Sequence, residues 1–244
     1  MDKLDSNFGY TKVTSKQKTK LVQEVFSKVS KKYDLMNDLM SLGTHRLWKK
    51  EFVNIINPLD HEKIIDIGSG TGDIAKNILK KSFKGELHLL DLNINMLDIG
   101  KATINKNKNL FFHQGNAENL NFKKNFFDKY IIAFCLRNIT DIEKSLEEAL
   151  RILKPGGSYY SLEFSTPYSA LTSKLYNSYR NIALPFIGEK VTNNKKAYNY
   201  LNESIALFPN QKKLQLTLEK IGFKNVSYIN LFDGIVSIHK GYKI

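Results

Sequence analysis

The sequence predicts an α/β fold, a doubly wound parallel sheet with helices on both faces. The first observation is that, from Lys63 onward, short apolar runs alternate with longer segments whose apolar residues recur at helical spacing. Because crossovers between parallel strands are right-handed, this alternation favours a doubly wound sheet. The second observation is a glycine-rich turn after the first of these runs. In open α/β folds, ligands bind at the edge of the sheet where such turns lie.

The strands of this sheet are predicted from short apolar runs, and the helices from the segments between them. In chain order the strand segments are KIIDIG, ELHLLDL, NLFFHQG, FDKYIIAF, SYYSLEF, VSYINL and IVSIHKGY, and the helical segments are 73–82, 95–105, 141–153 and, near the end, 211–221. Thr140-x-x-Glu143 at the start of the third helical segment predicts a capping box.

Two further regions do not follow this alternation. Before Lys63 an apolar stripe runs from Leu21 to Val29, and a helix-like run continues to Ile56 and ends before Pro58. After the fifth strand, residues 166–210 form another predicted helical stretch that contains prolines. We predict that both regions form a lid over the C-terminal edge of the sheet.

Composition limits the classes of protein to consider. The chain of 244 residues has a formal net charge of +13 and one cysteine, Cys135, so neither an intramolecular disulfide nor a cysteine zinc cluster is expected. No apolar run approaches the roughly 20 residues that cross a bilayer, and the first residues lack the apolar centre of a secretory signal. We therefore expect a cytoplasmic protein. The basic charge suggests an anionic partner, although Lys- and Asn-rich composition also produces it without one.

The turn after the first strand reads Asp66-Ile-Gly68-Ser-Gly70-Thr71-Gly72-Asp73. Its glycines let the backbone turn tightly and approach a ligand. In the dinucleotide pattern G-x-G-x-x-G the last glycine comes one residue later than it does here. Two carboxylates flanking the turn disfavour a pyrophosphate and favour a sulfonium and an ammonium, which S-adenosylmethionine combines.

Polar residues also follow the next two strands. Asp91 ends the second strand, about 20 residues beyond the glycines, where a carboxylate can accept hydrogen bonds from both ribose hydroxyls. After the third strand, Gly115-Asn116-Ala117 places an amide where it can bind the adenine edge. Together these positions resemble the Rossmann-like class I S-adenosylmethionine-dependent methyltransferase fold, which implies seven strands with the last antiparallel.

Residues 33–48 carry information about the substrate. From Tyr33 through Asn37 and His45 to Trp48 they match the pattern Y-D-x-M-N-x-x-[LIVM]-S-x-x-x-H-x-x-W at every fixed position. This pattern resembles that of the ubiquinone/menaquinone biosynthesis C-methyltransferase family (UbiE/MenG). The segment from Arg151 to Ser165 is similar to the family's second signature, with Ile152 and Tyr159 departing from its usual residues.

Three further segments also resemble this family. Cys135-Leu-Arg137-Asn138-Ile-Thr140 is similar to G-[LI]-R-N-x-T, with cysteine in place of glycine, and Tyr200-Leu-x-Glu203 and the ending from His239 are similar too. The family's cofactor positions fall on Thr71, Asp91, Asn116 and Ala117, and a position that is often serine falls on Ala133.

The resemblance implies a single methyltransferase domain that methylates a ring carbon of a polyprenylated quinol. Its expected parts are lid helices at 20–58, a cofactor-binding core at 60–165, a helical insertion covering the substrate at 166–210, and a closing helix and strand pair at 211–244. The expected cofactor is S-adenosyl-L-methionine, and the residues expected to hold it are Asp66, Gly68, Gly70, Thr71, Gly72, Asp91, Asn116 and Ala117.

The chemistry needs no metal, because removal of the phenolic proton places negative charge on the neighbouring ring carbon. The protein has to orient the ring and stabilise its anion. Arg137 is the candidate cation, Asn138 the candidate ligand of the ring oxygen, and Tyr33 a third catalytic candidate, with Asn37 and His45 assigned to the substrate lid. Each has an ordinary structural alternative: an ion pair for Arg137, a core aromatic for Tyr33 and a capping residue for His45.

Other functions and partners stay open at this point. The alternatives are a class I methyltransferase acting on RNA, which the charge suits, and a non-catalytic scaffold of a quinone-synthesis assembly. No appended RNA-binding module is found, so a nucleic-acid partner is not expected. Lys28 and its neighbours on the first helix suggest peripheral contact with an anionic membrane at the inner face. Contact with other quinone-synthesis enzymes, a homodimer, and the choice between benzoquinol and naphthoquinol stay undecided.

Overall fold

The protein is described from a computed structural model that covers residues 6–30, 33–104, 108–183 and 195–244. Seven strands form one sheet in the order β5-β4-β3-β6-β7-β9-β8, and two short strands form a separate hairpin. The hairpin strands are β1 (Ser6–Phe8) and β2 (Thr11–Val13). The sheet strands are β3 (Lys63–Ile67), β4 (Glu86–Asp91), β5 (Leu110–Gln114), β6 (Phe127–Ala133), β7 (Leu153–Phe164), β8 (Lys224–Leu231) and β9 (Val236–Tyr242).

The sheet confirms the predicted fold class. Strands β3 to β7 pair in parallel, whereas β9 is antiparallel to both β7 and β8. Strand β3 lies between β4 and β6 and is buried on both faces, as expected for a strand covered by helices on each side. Ile64 packs into one hydrophobic core with Leu89 and Leu162, while Ile65 packs into the other with Tyr130.

The helices account for the predicted helical segments. They are α1 (Ser15–Val29), α2 (Tyr33–Ser41), α3 (His45–Ile56), α4 (Asp73–Leu79), α5 (Ile94–Thr103), α6 (Ile142–Ile152), α7 (Ala170–Ser178), α8 (Lys195–Leu207) and α9 (Gln211–Ile221). A π-helical segment, Tyr179–Ala183, continues α7. Within the described part of the chain, no helix combines the length and apolarity needed to cross a bilayer.

The predicted capping box at Thr140 is wrong. The N-cap of α6 is Asp141, whose carboxylate accepts a hydrogen bond from the amide of Lys144 at 3.0 Å. The amide of Thr140 instead donates to Glu118, which belongs to the loop after β5. A capping box does occur at α1, where Thr14 and Gln17 each accept a hydrogen bond from the other's amide.

The N-terminal hairpin is a feature that the sequence analysis missed. Its strands have only three residues each, too few for a periodic pattern to be recognised. Phe8 of this hairpin stacks on Tyr200 of α8, with ring centroids 4.3 Å apart and planes 11° from parallel. The hairpin therefore ties the start of the described chain to the insertion that follows β7.

Trp48 anchors α3, one of the helices predicted to form a lid, to the sheet. Its ring is buried and packs edge-on against Phe164 at 6.0 Å and Phe232 at 5.7 Å. It also lies 6.2 Å from Phe134, in the loop after β6. Helix α3 is thereby held beside the C-terminal ends of the central strands, where a ligand of an open α/β fold binds.

A buried histidine, His88, and a half-buried one, His113, form a pair near the edge of the sheet. His88 Nδ1 lies 3.0 Å from His113 Nε2, so one ring donates a hydrogen bond to the other. Phe111 stacks on His88, and three further aromatic rings meet it edge-on: Phe122, Phe126 and Phe127. Burial, together with the neighbouring His113, lowers the pKa of His88 to about 4.

We predict that His88 makes the protein less stable in mild acid. In the unfolded chain histidine titrates near about 6.5. Between about pH 4 and about pH 6.5 the native state therefore binds fewer protons than the unfolded state, so stability falls as the pH falls. Between about pH 7 and about pH 5, the wild type should lose about 2 kcal/mol more unfolding free energy than His88→Phe, measured by urea titration. Parallel pH profiles for the two proteins would contradict this assignment.

Candidate active site

The glycine turn between β3 and α4 has a backbone that other residues adopt rarely. Gly68 has φ of +63° and Gly70 has φ of +55°, both in the left-handed region. A Cβ on Gly68 would lie 2.1 Å from Cys135 Sγ, so the turn packs directly against the loop that follows β6. A side chain at position 68 would therefore collide with the chain itself, because Cys135 fills the space beside Gly68.

Asp91, at the end of β4, fixes the position of this turn. One carboxylate oxygen accepts a hydrogen bond from the amide of Gly70 at 2.9 Å, and the other accepts from the amide of Asn93 at 2.8 Å. Burial raises the pKa of Asp91, although these amides oppose that shift. Since a carboxylate oxygen accepts more than one hydrogen bond, each oxygen retains capacity for a ligand hydroxyl.

A large cleft opens beside the turn and encloses about 780 Å³ of space, its mouth included. Helix α1 forms one wall through Thr19, Val22, Gln23 and Phe26. From the other sides the cleft is lined by residues at the ends of four strands, among them Gly68, Gly70, Asp91, Asn116, Ala117, Phe134, Cys135 and Asn138. The cleft therefore brings together six of the residues that the sequence analysis singled out.

Asn116 and Ala117 lie on the wall of this cleft beyond β5. The side-chain oxygen of Asn116 accepts a hydrogen bond from the amide of Glu118 at 2.9 Å, which forms a local turn. Ala117 is buried against Leu90 and Leu120 in one of the two cores. The wall at this point combines an amide with apolar surface, as an aromatic base requires.

A smaller cavity, here called the inner cavity, adjoins the cleft and encloses about 330 Å³. It shares Gly68 and Phe134 with the large cleft, and its other described lining residues are Lys49, Asp66, Ser69, Thr71, Asp73, Ile74 and Ala133. The predicted cofactor residues Asp66 and Thr71 therefore face this cavity. Gly72 adopts φ of +80° as the N-cap of α4.

Asp66 is deeply buried, with 1% of its surface exposed. Burial and the nearby Asp91 raise its pKa, and the charge of Lys49 opposes that shift. Asp73, the second carboxylate expected to flank the turn, has a cationic partner already, because Lys49 Nζ lies 2.7 Å from its Oδ2. Lys49 reaches this position from α3.

Asn138 and Arg137 occupy the 3₁₀ turn after β6 and face different spaces. Asn138 lines the large cleft, and its side-chain oxygen accepts a hydrogen bond from the Tyr200 hydroxyl at 3.0 Å. Arg137 lines a separate cavity beneath the N-terminal hairpin. Its guanidinium donates to Glu163 at 2.6 Å and to the Phe134 carbonyl at 2.7 Å.

The Arg137–Glu163 pair is buried on both sides, with 5% and 1% of the two side chains exposed. Arg137 therefore forms an ion pair, which is the structural role considered for it as the alternative to a catalytic one. Burial raises the pKa of Glu163 and the facing guanidinium opposes that shift. The charge of Arg137 is consequently compensated by a residue of β7, 26 positions further along the chain.

The lid candidates lie on α2 and at the start of α3. His45 is buried, its Nε2 lies 2.8 Å from Asp38 Oδ1, and burial lowers its pKa. Asn37 has a buried side-chain nitrogen with no hydrogen-bond partner among the described residues. Tyr33 is the first residue of α2, and its side chain lies outside the described part of the structure.

Three residues of the site were missed by the sequence analysis as site residues. Glu163 and Tyr200 lie within segments that resemble the family's sequences. Their partners, Arg137 and Asn138, are distant from them in sequence, so the contacts could not be predicted. Lys49 directly follows the Trp48 that ends the first signature, and it reads there as one of many surface lysines. Its burial, with 7% of its surface exposed, is the signal that distinguishes it.

The chain is similar in sequence to a well-defined group of methyltransferases. Residues 12–243 match the model of the ubiE/COQ5 methyltransferase family. A ubiquinone/menaquinone biosynthesis C-methyltransferase from Rickettsia felis is 48% identical, over 98% of this chain and 99% of that protein. The protein of the same name from Vibrio parahaemolyticus is 42% identical, over 98% of this chain and 93% of its own length.

Solved structures of more distant proteins share the fold. A SAM-dependent methyltransferase from Thermotoga maritima has a TM-score of 0.64 at 20% identity, covering 91% of this chain and all of that one. A phosphoethanolamine N-methyltransferase from Haemonchus contortus has a TM-score of 0.61 at 16% identity, covering 80% of this chain and 52% of that one. Because the family model matches residues 12–243, nearly the whole of this chain, the chain belongs to the ubiE/COQ5 methyltransferase family.

Proposed function

We propose that this protein transfers a methyl group from S-adenosylmethionine to a ring carbon of a polyprenylated quinol. The observation that carries the proposal is the large cleft, whose walls include Asp91, Asn116 and Asn138. The first two are suited to a nucleoside, and the third to a polar group on an acceptor. The names of the related proteins, which specify C-methylation in ubiquinone and menaquinone biosynthesis, support the choice of acceptor.

The residues present suit S-adenosylmethionine as the donor. Asp91 retains hydrogen-bonding capacity for the two ribose hydroxyls, and Ala117 offers an apolar surface to the adenine. Val22 and Phe26 of α1 line the same cleft and exclude water from it. When bound, S-adenosylmethionine supplies an electrophilic methyl group on a sulfonium.

Asn138 is suited to hold the oxygen of the acceptor ring. Tyr200 donates to its side-chain oxygen, and its amide nitrogen donates one hydrogen bond to the Phe134 carbonyl at 3.4 Å. The second N–H of the amide is therefore the donor left for an acceptor. An N–H donor stabilises a phenolate oxygen more strongly than a phenol oxygen, which favours the anionic ring. The ring carbon beside that oxygen then carries the negative charge needed to attack the methyl group.

We assign Arg137 a role in stabilising the same anion from behind Asn138. Its guanidinium is fixed by Glu163 and by the Phe134 carbonyl, and lies 5.3 Å from the Phe164 ring. This pairing also holds the turn that carries Asn138. Because Glu163 compensates its charge, we expect Arg137 to contribute less to catalysis than Asn138.

The exposed face of α7 is suited to contact a lipid surface, where a polyprenylated substrate resides. Leu171, Leu175 and Ile182 are 69%, 63% and 73% exposed, and the first two share one face of α7 at i, i+4 spacing. Lys174 and Arg180 lie close by in sequence and suit anionic headgroups. The Tyr179 hydroxyl donates to the Leu39 carbonyl of α2, so this surface adjoins the lid.

The substrate class can be tested by methyl transfer from radiolabelled S-adenosylmethionine. The acceptors are a short-chain 2-methoxy-6-prenyl benzoquinol, a demethylated prenyl naphthoquinol and bulk tRNA, all under reducing conditions. We expect label in one or both quinols and none in tRNA above the level without enzyme. Label in tRNA alone would instead support the RNA alternative, and no label in any acceptor would support the scaffold.

Replacement of Asn138 should slow chemistry without loss of donor binding. For Asn138→Ala we expect kcat to fall by about 10²- to 10³-fold, as when a donor to an oxyanion is removed. The Kd for S-adenosylhomocysteine should change by less than about threefold. The exposed Asn54→Ala serves as the control and should leave both values unchanged. A kcat for Asn138→Ala close to that of the wild type would contradict the assigned role.

The lipid contact can be tested by flotation with vesicles of phosphatidylcholine and phosphatidylglycerol. The double variant Leu171→Glu/Leu175→Glu should reduce the bound fraction by at least about tenfold, because it removes apolar surface and adds negative charge. Leu216→Glu, an exposed leucine on α9, is the matched control. Wild-type binding that is absent, or that the double variant retains, would exclude α7 as the contact.

A further inference from the structure

The inner cavity contains polar groups that the protein leaves without partners. Asp66 Oδ2, Ser69 Oγ and Thr71 Oγ1 are buried and have no hydrogen-bond partner among the described residues. All three belong to the glycine turn or to the end of β3, and all three residues line this cavity. Because buried polar groups are almost always satisfied in native proteins, the cavity is built to receive a polar guest.

The charges of the cavity define the chemical class of that guest. Lys49 is the cation among the described residues that line it, and Asp66 and Asp73 are the carboxylates. The aspartates suit an ammonium on the guest and Lys49 suits a carboxylate, whereas a guest with only a carboxylate would meet two carboxylates against one cation. An α-amino acid group is a zwitterion at neutral pH, and it matches both kinds of charge at once.

The location of the cavity agrees with this class of guest. Gly68 and Phe134 line both the inner cavity and the large cleft, so one molecule can extend from the cleft into the cavity. The donor proposed above has a nucleoside at one end and an α-amino acid group at the other. With Asp91 at the nucleoside end, the inner cavity lies where the amino-acid end would reach.

We propose that Lys49 is the residue that binds the carboxylate of the donor's amino-acid end. This inference rests on the proposed function. Lys49 Nζ lies 2.7 Å from Asp73 Oδ2, which holds the ammonium at the cavity wall. The neighbouring Trp48, packed against Phe164, fixes the part of α3 from which the side chain extends. Lys49 would thus link the lid to the bound donor.

The test compares two ligands that differ only beyond the thioether. S-adenosylhomocysteine carries the amino-acid group, and 5′-methylthioadenosine lacks it. Measured by isothermal titration calorimetry, Lys49→Met should raise the Kd of S-adenosylhomocysteine by about 10- to 100-fold, the effect of losing a charged hydrogen bond. Binding of 5′-methylthioadenosine should change by less than about threefold, since it makes no contact with Lys49.

Two further variants make the result specific. Lys50→Met removes the adjacent, exposed lysine of the same helix and should leave both ligands unaffected. If Lys49→Met unfolds because Asp73 loses its partner, Lys49→Met/Asp73→Asn removes both charges, and it should show the same selective loss. Equal weakening of both ligands by the Lys49 variant, or weakening of neither, would overturn the inference. A wild type that binds neither ligand would overturn the proposed function itself.

Discussion

The geometry of the whole site depends on the carboxylate of Asp91. It receives one backbone amide from the glycine turn and another from the loop after β4, so it holds two neighbouring strand ends in register. Removing a carboxylate from water is costly unless hydrogen bonds compensate it, and these two amides do so for the half-buried Asp91. The same oxygens form part of the cleft wall. One side chain therefore closes the turn and faces the proposed donor.

Much of the fold could be predicted because its central strands carry short apolar runs that are buried on both faces. Residues such as Ile64 and Ile65 alternate between the two cores, and helical spacing in the intervening segments defines the layers that cover them. The hairpin β1–β2 could not be predicted, because its strands have three residues each. The N-cap of α6 was misplaced by one residue, since Thr140 and Asp141 are both good caps and only the tertiary bond to Glu118 separates them.

Several residues of the candidate site could be predicted from the sequence, but their interaction partners could not. Sequence reasoning selected Asp91, Asn116 and Asn138, and these line one cleft. It placed Arg137 beside Asn138 as a cation, whereas the partner that compensates this charge, Glu163, comes from another strand. Lys49 was overlooked because a buried lysine and a surface lysine look alike in a chain that contains so many. Only burial and the facing carboxylates distinguish it.

The position of Asn138 is secured by residues from both ends of the chain. The Tyr200 hydroxyl of α8 donates to the side-chain oxygen of Asn138, and Phe8 of the N-terminal hairpin stacks on the Tyr200 ring. An engineer who grafts the segment after β7 from a relative, in order to change which acceptors are accepted, would exchange the tyrosine without its stacking partner. Such chimeras should be assembled with the hairpin and α8 transplanted together, because the two elements support Asn138 jointly.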